Sequence, residues 1–411
     1  MKIAFFSPSW PPQFANNGIA TYTDAITRAL RMQGHECIVI SPLIGDHHSD
    51  SDGIVCYEAK TREYHGVGAL MQKLRYRFSE PFEYTLREYI IGVADALERA
   101  QLDGPIDILE IEESHGRSLQ LRKWCNLPIV VRCHGPHFLV HQDKFSTDGQ
   151  LRVRREGDAI MDADAVTCPS QNVLDAIHEH YEEIAPLHRT IANPVDLPSE
   201  DQCWHIDRCD PNLIVFVGRF DLVKGADIAI RAFSMLAKQR PNLRLKFIGR
   251  DVGIIEASGE HLQLQEFLDK YIDRDVQSRI EITGQLSYSE VMDARRGALL
   301  TIAASRYETF SYAASEALAY GCPFVSTPTS GHYSILKNEC DAMYSSDFEP
   351  ASLAQSIAKL LDDHQLTNRI ATTGRKTAGS LFSSRKIADQ TIRIYEEILA
   401  SRRALTTQAV S

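Results

Sequence analysis

The sequence predicts an α/β protein made of two doubly wound parallel-sheet domains. Short β-rich runs alternate with helical patterns through the first half, and the same alternation restarts after a polar segment near residue 200. At 411 residues the chain is also too long for one ordinary hydrophobic core. Because parallel sheets bind ligands at the carboxyl ends of their strands, we expect the functional residues in strand-to-helix loops.

The first predicted domain covers residues 1–196 and ends at the sequence Asn193-Pro-Val-Asp196. Its strands are apolar runs of four to six residues, and Gly34 supplies a stop for its first helix. The predicted strands are Lys2–Ser7, Glu36–Ser41, Ile106–Ile111, Pro128–Cys133 and Ala165–Cys168, and the predicted helices are Ala20–Gln33 and a long segment from about Ala69 to Ala100.

The second predicted domain covers residues 213–383, after an aperiodic polar linker at 197–212. It starts with the strand Leu213–Val217 and continues with a helix from about Ala226 to Gln239. A last helical stretch, Ser384–Arg403, follows this domain. The further predicted strands are Arg244–Ile248, Arg279–Thr283, Ala298–Ala303 and Phe324–Thr327.

The composition excludes several classes of protein. Hydrophobic residues at 44% and charged residues at 24% are typical of a soluble globular protein. A net charge of −11 argues against a nucleic-acid partner, which requires a basic surface. Nine cysteines without C-x-x-C spacing indicate reduced core residues and predict a cytoplasmic protein. The sequence shows neither a run long enough to span a membrane nor the hydrophobic core of a signal peptide.

One stretch combines two carboxylates with a helix start. Glu308 precedes a predicted helix that Ser311 caps and Gly321 ends, and Glu316 lies about a turn and a half inside it. A helix N-terminus favours a phosphate, and nearby carboxylates accept hydrogen bonds from sugar hydroxyls. The pattern therefore predicts a site for a phosphorylated sugar. A surface helix with two solvated glutamates is the alternative for an isolated pair of this kind.

A second motif places two cations at the end of a strand. Gly218-Arg219 and Lys224-Gly225 lie between the strand Leu213–Val217 and the next helix. The glycines allow close approach to the backbone, and the cations would stabilise a diphosphate leaving group. Solvated basic residues on a loop are the alternative, which the position directly after the domain's first strand disfavours.

Together the two motifs resemble a known family. Glu308-x7-Glu316 followed by Ala-Leu-Ala-x-Gly-x-Pro, with Gly218-Arg219 and Lys224-Gly225, looks like the signature of retaining GT-B glycosyltransferases of family 4, group 1. The resemblance covers roughly residues 1 to 400 and is strongest from 213 to 327. It implies two Rossmann-like domains that face a cleft, with the C-terminal helix crossing back to the N-terminal domain.

The resemblance also implies a reaction. A hexose-type sugar would move from a UDP- or GDP-linked donor to a hydroxyl of a glycan, glycolipid or small molecule. The configuration would be retained, and neither a metal ion nor another cofactor would be needed. Arg219, Lys224 and the helix start at Phe310 and Ser311 would hold the diphosphate, Glu308 the sugar hydroxyls, and Glu316 the ribose.

The resemblance implies roles for further positions. His134 ends the strand Pro128–Cys133, where the family histidine hydrogen-bonds the transferred sugar. Gly18 lies in the first strand-to-helix turn after Asn17, where the family has a second glycine, and asparagine tolerates a left-handed backbone. The backbone around Leu286 would pair with the nucleotide base, and Gly218 would approach the donor.

Several alternatives stay open. Ser311 stands where the family commonly has glycine, which leaves room for a catalytically silent nucleotide-sugar-binding protein. An epimerase or hydrolase that converts the donor without an acceptor is a second alternative. Basic and aromatic residues from Lys73 to Tyr84 leave peripheral membrane contact possible, although nearby glutamates favour a solvated helix face. We interpret Asp162-Ala-Asp164 as a structural sequence and the segment with His47-His48 as a polar loop. Neither is predicted to bind a metal ion.

Overall fold

The computed structural model describes residues 1–12, 17–45, 53–61, 66, 68–69, 71, 81–140 and 145–410, without the side chains at 81–85, 330 and 405–410. The chain folds into two compact units. The first unit contains Met1–Pro194 and Ser384–Ser411, and the second contains Val195–Ser383. Among the described residues, no helix is both long and apolar enough to cross a membrane.

The first unit is built on a seven-stranded parallel sheet in the order β3-β2-β1-β4-β5-β6-β7. Its strands are β1 (Lys2–Phe6), β2 (Glu36–Ser41), β3 (Val55–Glu58), β4 (Ile108–Glu112), β5 (Ile129–Arg132), β6 (Ala165–Cys168) and β7 (His188–Thr190). Its helices up to residue 180 are α1 (Gly18–Met32), α2 (Pro81–Leu102), α3 (Arg117–Leu121), α4 (His137–Val140), α5 (Thr147–Asp162) and α6 (Gln171–His180).

The second unit is built on a six-stranded parallel sheet in the order β12-β9-β8-β13-β14-β15, with a separate antiparallel pair β10-β11. Its strands are β8 (Asp210–Val217), β9 (Arg244–Ile248), β10 (Ile254–Ile255), β11 (His261–Leu262), β12 (Ile280–Gly284), β13 (Ala298–Ala303), β14 (Phe324–Ser326) and β15 (Met343–Tyr344). Its helices are α7 (Ala226–Ala237), α8 (Leu264–Tyr271), α9 (Arg274–Gln277), α10 (Tyr288–Gly297), α11 (Tyr312–Ala319), α12 (Ser330–Tyr333), α13 (Pro350–Asp362) and α14 (His364–Leu381).

The last helix, α15 (Ser384–Val410), returns to the first unit and packs against α1. Polar side chains fix it there. The Tyr395 hydroxyl donates to the buried carboxylate of Glu110 at 2.8 Å, and Arg402 pairs with Asp164 at 2.9 Å. This return to the N-terminal unit is the arrangement that the resemblance implies.

Buried strands explain why both sheets form where the sequence predicts them. All six residues of β13 are buried, and β1, β4, β5 and β6 are also buried along their whole length. Strands covered on both faces carry continuous apolar runs, which is the pattern that predicted them. The strands β2, β6, β9 and β13 have the predicted bounds, and β8 begins at Asp210, three residues earlier than predicted.

The antiparallel pair β10-β11 was not predicted, and neither were three short strands of the parallel sheets, β3, β7 and β15. These three strands have four, three and two residues, too few for a periodic pattern to stand out. The helix predicted from about Ala69 is described as α2 from Pro81, because residues 72–80 lie outside the described part of the chain.

Candidate active site

The loop between β8 and α7 lies against the loop that follows β13. Gly225 has φ +63°, and a β-carbon there would lie 1.7 Å from the carbonyl oxygen of Ala304. Gly249 is equally tight, because its β-carbon would lie 1.9 Å from the carbonyl oxygen of Gly218. Only glycine fits such approaches. The backbone therefore brings Lys224 beside the segment that carries Glu308.

Lys224 and Glu308 form an ion pair at the carboxyl ends of β8 and β13. Lys224 Nζ lies 2.7 Å from Glu308 Oε1, and the hydroxyl of Ser305 donates to the same oxygen at 2.7 Å. The side chain of Lys224 is 31% exposed and that of Glu308 only 11%. The cation and carboxylate that the sequence assigned to the site are thus in direct contact, with the cation still accessible to a ligand.

The surroundings of Glu308 keep it ionised. Burial alone raises the pKa of this carboxyl, but Lys224 and the hydroxyl of Ser305 together hold the pKa below its usual value. The nearby His332 is itself buried, which lowers the pKa of the imidazole to about 4, and its Nδ1 lies 2.8 Å from the Tyr344 hydroxyl. At neutral pH the group is therefore a carboxylate beside a neutral imidazole.

Asp221 organises the two cations of the loop. Its Oδ1 accepts the backbone amide of Lys224 and its Oδ2 accepts Arg219 Nε, both at 2.7 Å. The side chain of Arg219 remains 52% exposed. One carboxylate therefore fixes the backbone at Lys224 and directs Arg219, while both cationic ends keep solvent contact.

Arg306 joins the same two loops from the other side. Its guanidinium donates to the carbonyl of Leu222 at 2.6 Å and to both carboxylate oxygens of Asp227 at 2.7 and 2.8 Å. A planar fork on a carboxylate is the strong bidentate form of ion pair. It anchors the start of α7 to the segment just before Glu308.

Ser311 caps helix α11 from a left-handed backbone. It has φ +77°, and its hydroxyl accepts the amide of Ala314 at 3.3 Å. The ring of Phe310 is buried against Phe382 and the ring of Tyr312, so donor contacts of Phe310 would come from its backbone. The predicted N-cap is confirmed, and the glycine usual in the family would suit this φ.

Glu316 lies in α11 beside a buried arginine. Arg295 Nη1 is 3.1 Å from Glu316 Oε2, and Arg295 is fully buried in α10. Burial raises the pKa of Glu316, and Arg295 opposes that rise. Leu286 lies between β12 and α10, with its side chain packed on the core cluster around Val215. The side chain of Leu286 is therefore occupied by packing, and a nucleotide base at this position would contact its backbone.

Two predicted site residues, Gly18 and His134, lie in the first unit. The amides of His134 and Gly135 donate to the buried Glu113 at 2.9 and 2.7 Å, and the imidazole contacts Tyr22 edge-on. Burial, with a smaller effect of Arg132, lowers the pKa of His134 well below its usual value. Its imidazole is therefore neutral and can hydrogen-bond a hydroxyl.

Gly18 is the exposed first residue of α1, and Asn17 is its N-cap. Asn17 does not use the left-handed backbone that asparagine tolerates, because its φ is −123° and its Oδ1 accepts the amide of Ala20 at 2.7 Å. N-cap residues adopt extended backbone to make this bond. The preceding positions 13–16 lie outside the described residues.

The residues considered for metal binding have other partners. Asp162 and Asp164 both pair with Arg122, and Asp164 also pairs with Arg402. Within the described ranges, no cluster of three or more His, Cys, Asp or Glu side chains has a metal-binding arrangement. The polar loop at 46–50 and most of the basic, aromatic segment at 73–84 lie outside the described residues.

Family models match both halves of the chain. Residues 16–198 match the model of Glycosyltransferase Family 4, and residues 206–377 match that of Glycosyl transferases group 1. The chain is a family 4, group 1 glycosyltransferase. The sequence resemblance is thereby confirmed, together with the predicted class of enzyme, a hexosyltransferase.

Curated relatives of this glycosyltransferase are named for sugar transfer. Mannosylfructose-phosphate synthase of Agrobacterium fabrum is 28% identical over 190 residues, which cover 45% of this chain and 40% of that protein. Glycogen synthase of Mycobacterium tuberculosis is 22% identical over 423 residues, which cover 98% of this chain and 95% of that protein. The second match extends over nearly the whole of both chains.

Solved structures confirm the GT-B fold of the glycosyltransferase. Sucrose-phosphate synthase from Thermosynechococcus elongatus superposes with a TM-score of 0.74 at 19% identity, over 97% of this chain and 99% of that one. Anabaena HepE, solved with UDP-glucose, superposes with a TM-score of 0.71 at 17% identity, over 98% of this chain and 100% of that one. At such identities the likeness establishes the fold alone.

Within the second unit, the glycosyltransferase places Arg219, Lys224, Glu308 and the start of α11 on loops at one end of the sheet. The sequence did not assign roles to Asp221, Ser305, Arg306 or Arg295, which hold those groups in place. Asp221 and Ser305 lie two and three residues from predicted site residues, so loop position is the signal that could have indicated them. Arg295 gave no such signal, because its contact with Glu316 depends on the packing of two helices.

Proposed function

We propose that this enzyme transfers a hexose from a nucleoside diphosphate sugar to a hydroxyl acceptor with retention of configuration and without a metal ion. The ion pair of Lys224 and Glu308 is the observation that carries the proposal. It combines an accessible cation for the departing diphosphate with an ionised carboxylate for hydroxyls of the transferred sugar. UDP-glucose is the first donor to test, since HepE was solved with it; a GDP-linked sugar is the alternative.

Each group has a role that its chemistry allows. Arg219, Lys224 and the N-terminal end of α11 would stabilise the negative charge that develops on the diphosphate. Glu308 would accept hydrogen bonds from sugar hydroxyls and Glu316 from the ribose. The backbone at Gly218 and Leu286 would meet the phosphates and the base. His134 and Gly18, in the first unit, keep the family's assignment to the transferred sugar and the donor or acceptor.

Two cations at the diphosphate position support a reaction without metal or other cofactor, because they supply the charge that a divalent ion supplies elsewhere. The acceptor we propose is a glycan, a glycolipid or a small molecule. Nine free cysteines, all within the described residues, support a reducing cytoplasm as the compartment.

The test measures UDP binding and UDP release without added metal. We expect UDP or UDP-glucose to raise the melting temperature of the wild-type protein by mass action. Acceptor-dependent release of UDP supports transfer, whereas equal release without acceptor indicates a hydrolase or epimerase. Binding without any release supports a catalytically silent protein. GDP, ADP and dTDP and their sugars are screened in parallel.

Lys224→Ala and Glu308→Ala are each expected to lower turnover by about 100-fold or more, because each removes a group that meets developing charge or sugar hydroxyls. Lys238→Ala is the matched control, since Lys238 forms an exposed ion pair with Asp273 in the same unit. Melting curves establish that the variants remain folded. Wild-type turnover in either site variant contradicts the assignment.

A further inference from the structure

Arg295 is a buried cation that the proposed reaction does not use. It is fully buried, and Glu316 lies 3.1 Å from its Nη1. None of its three guanidinium nitrogens has a hydrogen bond of good geometry to any residue that the structure describes. Glu316 is therefore its counterion rather than one member of a saturated hydrogen-bond network.

The contribution of a buried ion pair to stability does not explain why the pair is present. A guanidinium stays charged at any physiological pH, so its burial is costly without a counterion. Replacing a whole buried pair by apolar side chains is often neutral or stabilising, whereas removing one partner is strongly destabilising. Stability alone thus gives no reason for an arginine here. A need for an ionised Glu316 does.

The neighbouring ionisable groups cannot replace Arg295 or Glu316 in this pair. Burial raises the pKa of Tyr288, and Glu316 and Tyr320 raise it further. Burial also raises the pKa of the Cys322 thiol, to about 12. Both groups are neutral at physiological pH. Of these groups, Arg295 is thus the one that can balance a negative charge on Glu316.

Helix α10 connects this pair to the loop of Leu286. The helix starts directly after that loop, where Ser287 and Glu290 form a capping box. Arg295, near the end of α10, lies 3.1 Å from one oxygen of Glu316. The helix therefore links the position assigned to the base with the position assigned to the ribose.

We propose that Arg295 is a positioning residue for ribose recognition, which holds Glu316 as an oriented carboxylate that accepts the 2′- and 3′-hydroxyls of the donor nucleotide. This inference rests on the proposed function, which assigns Glu316 to the ribose. Without Arg295, the buried carboxyl takes up a proton and loses part of its capacity to accept hydrogen bonds.

The experiment compares UDP with 2′,3′-dideoxyuridine 5′-diphosphate, which lacks both hydroxyls, by calorimetric titration. We expect the wild-type protein to prefer UDP by about tenfold or more, the value of one hydrogen bond to a charged group. Arg295→Met should reduce this preference to less than about threefold, and Glu316→Gln should do the same. Arg295→Lys, which keeps the positive charge, should retain most of the wild-type preference for UDP.

Arg296→Met is the matched control. The neighbouring Arg296 pairs with Asp293 near the surface of the same helix, so the UDP preference should be unchanged. The double variant Arg295→Met/Glu316→Gln should lose no more preference than either single variant, because both act on one contact.

The outcomes separate the inference from the proposed function. A full UDP preference in Arg295→Met overturns the inference, and so does an equal weakening of both nucleotides, which indicates a merely structural role. A full preference in Glu316→Gln contradicts the assignment of Glu316 to the ribose. If Arg295→Met does not fold, Arg295→Gln takes its place with the same expected loss.

A second readout needs no nucleotide and tests the step on which the inference depends, that Arg295 keeps Glu316 ionised. In Arg295→Met the pKa of Glu316 rises further, so the folded state binds a proton that the unfolded state has released. Stability then falls as pH rises above the usual pKa of a glutamate, more steeply than in the wild-type protein. Adding Glu316→Gln should abolish the extra slope. An unchanged slope in Arg295→Met overturns the inference.

Discussion

Ser311 combines a stabilising cap with an unfavourable backbone. Its hydroxyl accepts the amide of Ala314, but its φ of +77° is left-handed, which costs an L-residue about 1–2 kcal/mol. Ser311→Ala keeps that cost and loses the cap, whereas Ser311→Gly removes the cost and loses little as a cap. Glycine also raises the conformational entropy of the unfolded chain, which offsets part of this gain. Ser311→Gly should therefore be more stable than Ser311→Ala by about 1 kcal/mol.

Urea unfolding of the two variants, followed by signals from the second unit, measures this difference. Glycine is also the residue common in the family, so Ser311→Gly should retain UDP binding. Equal unfolding midpoints for the two variants would show that the left-handed backbone at Ser311 carries no strain.

Local backbone rules explain which residues could be predicted. Ser311 as N-cap and Gly321 as the left-handed residue after α11 follow from neighbouring sequence alone, and both are confirmed. The role of Asn17 was not predicted, because two local rules compete at asparagine. Its tolerance of left-handed backbone is general, but its position one residue before α1 makes it a cap in extended conformation.

Side-chain partners across the fold were harder to predict. Lys224 and Glu308 are 84 residues apart in sequence, and the motif placed both at strand ends without showing that they touch. Their 2.7 Å contact depends on β8 and β13 being neighbours in the sheet. The pair of Arg295 and Glu316 depends on helix packing, for which the sequence contains no pattern.

At the scale of elements, the approach of the β8–α7 loop to the β13 loop can be tested by adding one methyl group. Gly225→Ala would place its β-carbon 1.7 Å from the carbonyl oxygen of Ala304, so the loop must move. We expect a loss of stability of several kcal/mol, on the order of 3 or more, and a loss of UDP binding, since Lys224 moves with the loop.

Gly259→Ala is the matched control for this prediction. Gly259 also has positive φ, +87°, but nothing lies within 4 Å of the added methyl group. Only the backbone cost of about 1–2 kcal/mol applies there. Chemical denaturation and calorimetric titration of UDP measure both effects. If the two variants are equally stable, the two loops are not packed as tightly as the structure shows.

Strand length decided which elements the sequence revealed. The fully buried β4, β5 and β13 have four to six residues and stand out as apolar runs. The edge strands β7 and β15 have three and two residues, and β7 is partly exposed, so composition does not distinguish them from loops. Their place is set by pairing with β6 and β14.

At the scale of the whole molecule, one of the two units is built from segments that are far apart in sequence. The second unit is continuous from Val195 to Ser383, whereas the first unit needs α15 from the far end of the chain. Tyr395 donates to the buried Glu110. Burial raises the pKa of Glu110 above its usual value, although Arg132, Tyr22 and Tyr395 oppose that rise. The C-terminal helix thus completes the hydrogen bonding of a carboxylate inside the first unit.

A variant that ends after Ser383 should therefore damage one unit selectively. It exposes the surface covered by Ile387, Ile394 and Ile398, each of which contributes about 1.5–3 kcal/mol when fully buried. It also leaves Glu110 without one donor, at a further cost of about 1–3 kcal/mol. These losses approach the whole stability of a typical domain. The first unit should unfold or open, while the second unit keeps its own sheet and loops.

Hydrogen exchange measured by mass spectrometry distinguishes the two units in one experiment. Peptides from β1 and β4 should lose protection in the shortened variant, whereas those from β8 and β13 should keep it. Since Lys224, Glu308 and Glu316 all lie in the second unit, UDP should still protect that unit from exchange. Full protection of β1 and β4 would show that the first unit does not depend on α15. Loss of protection in both units would show that the second unit depends on the first.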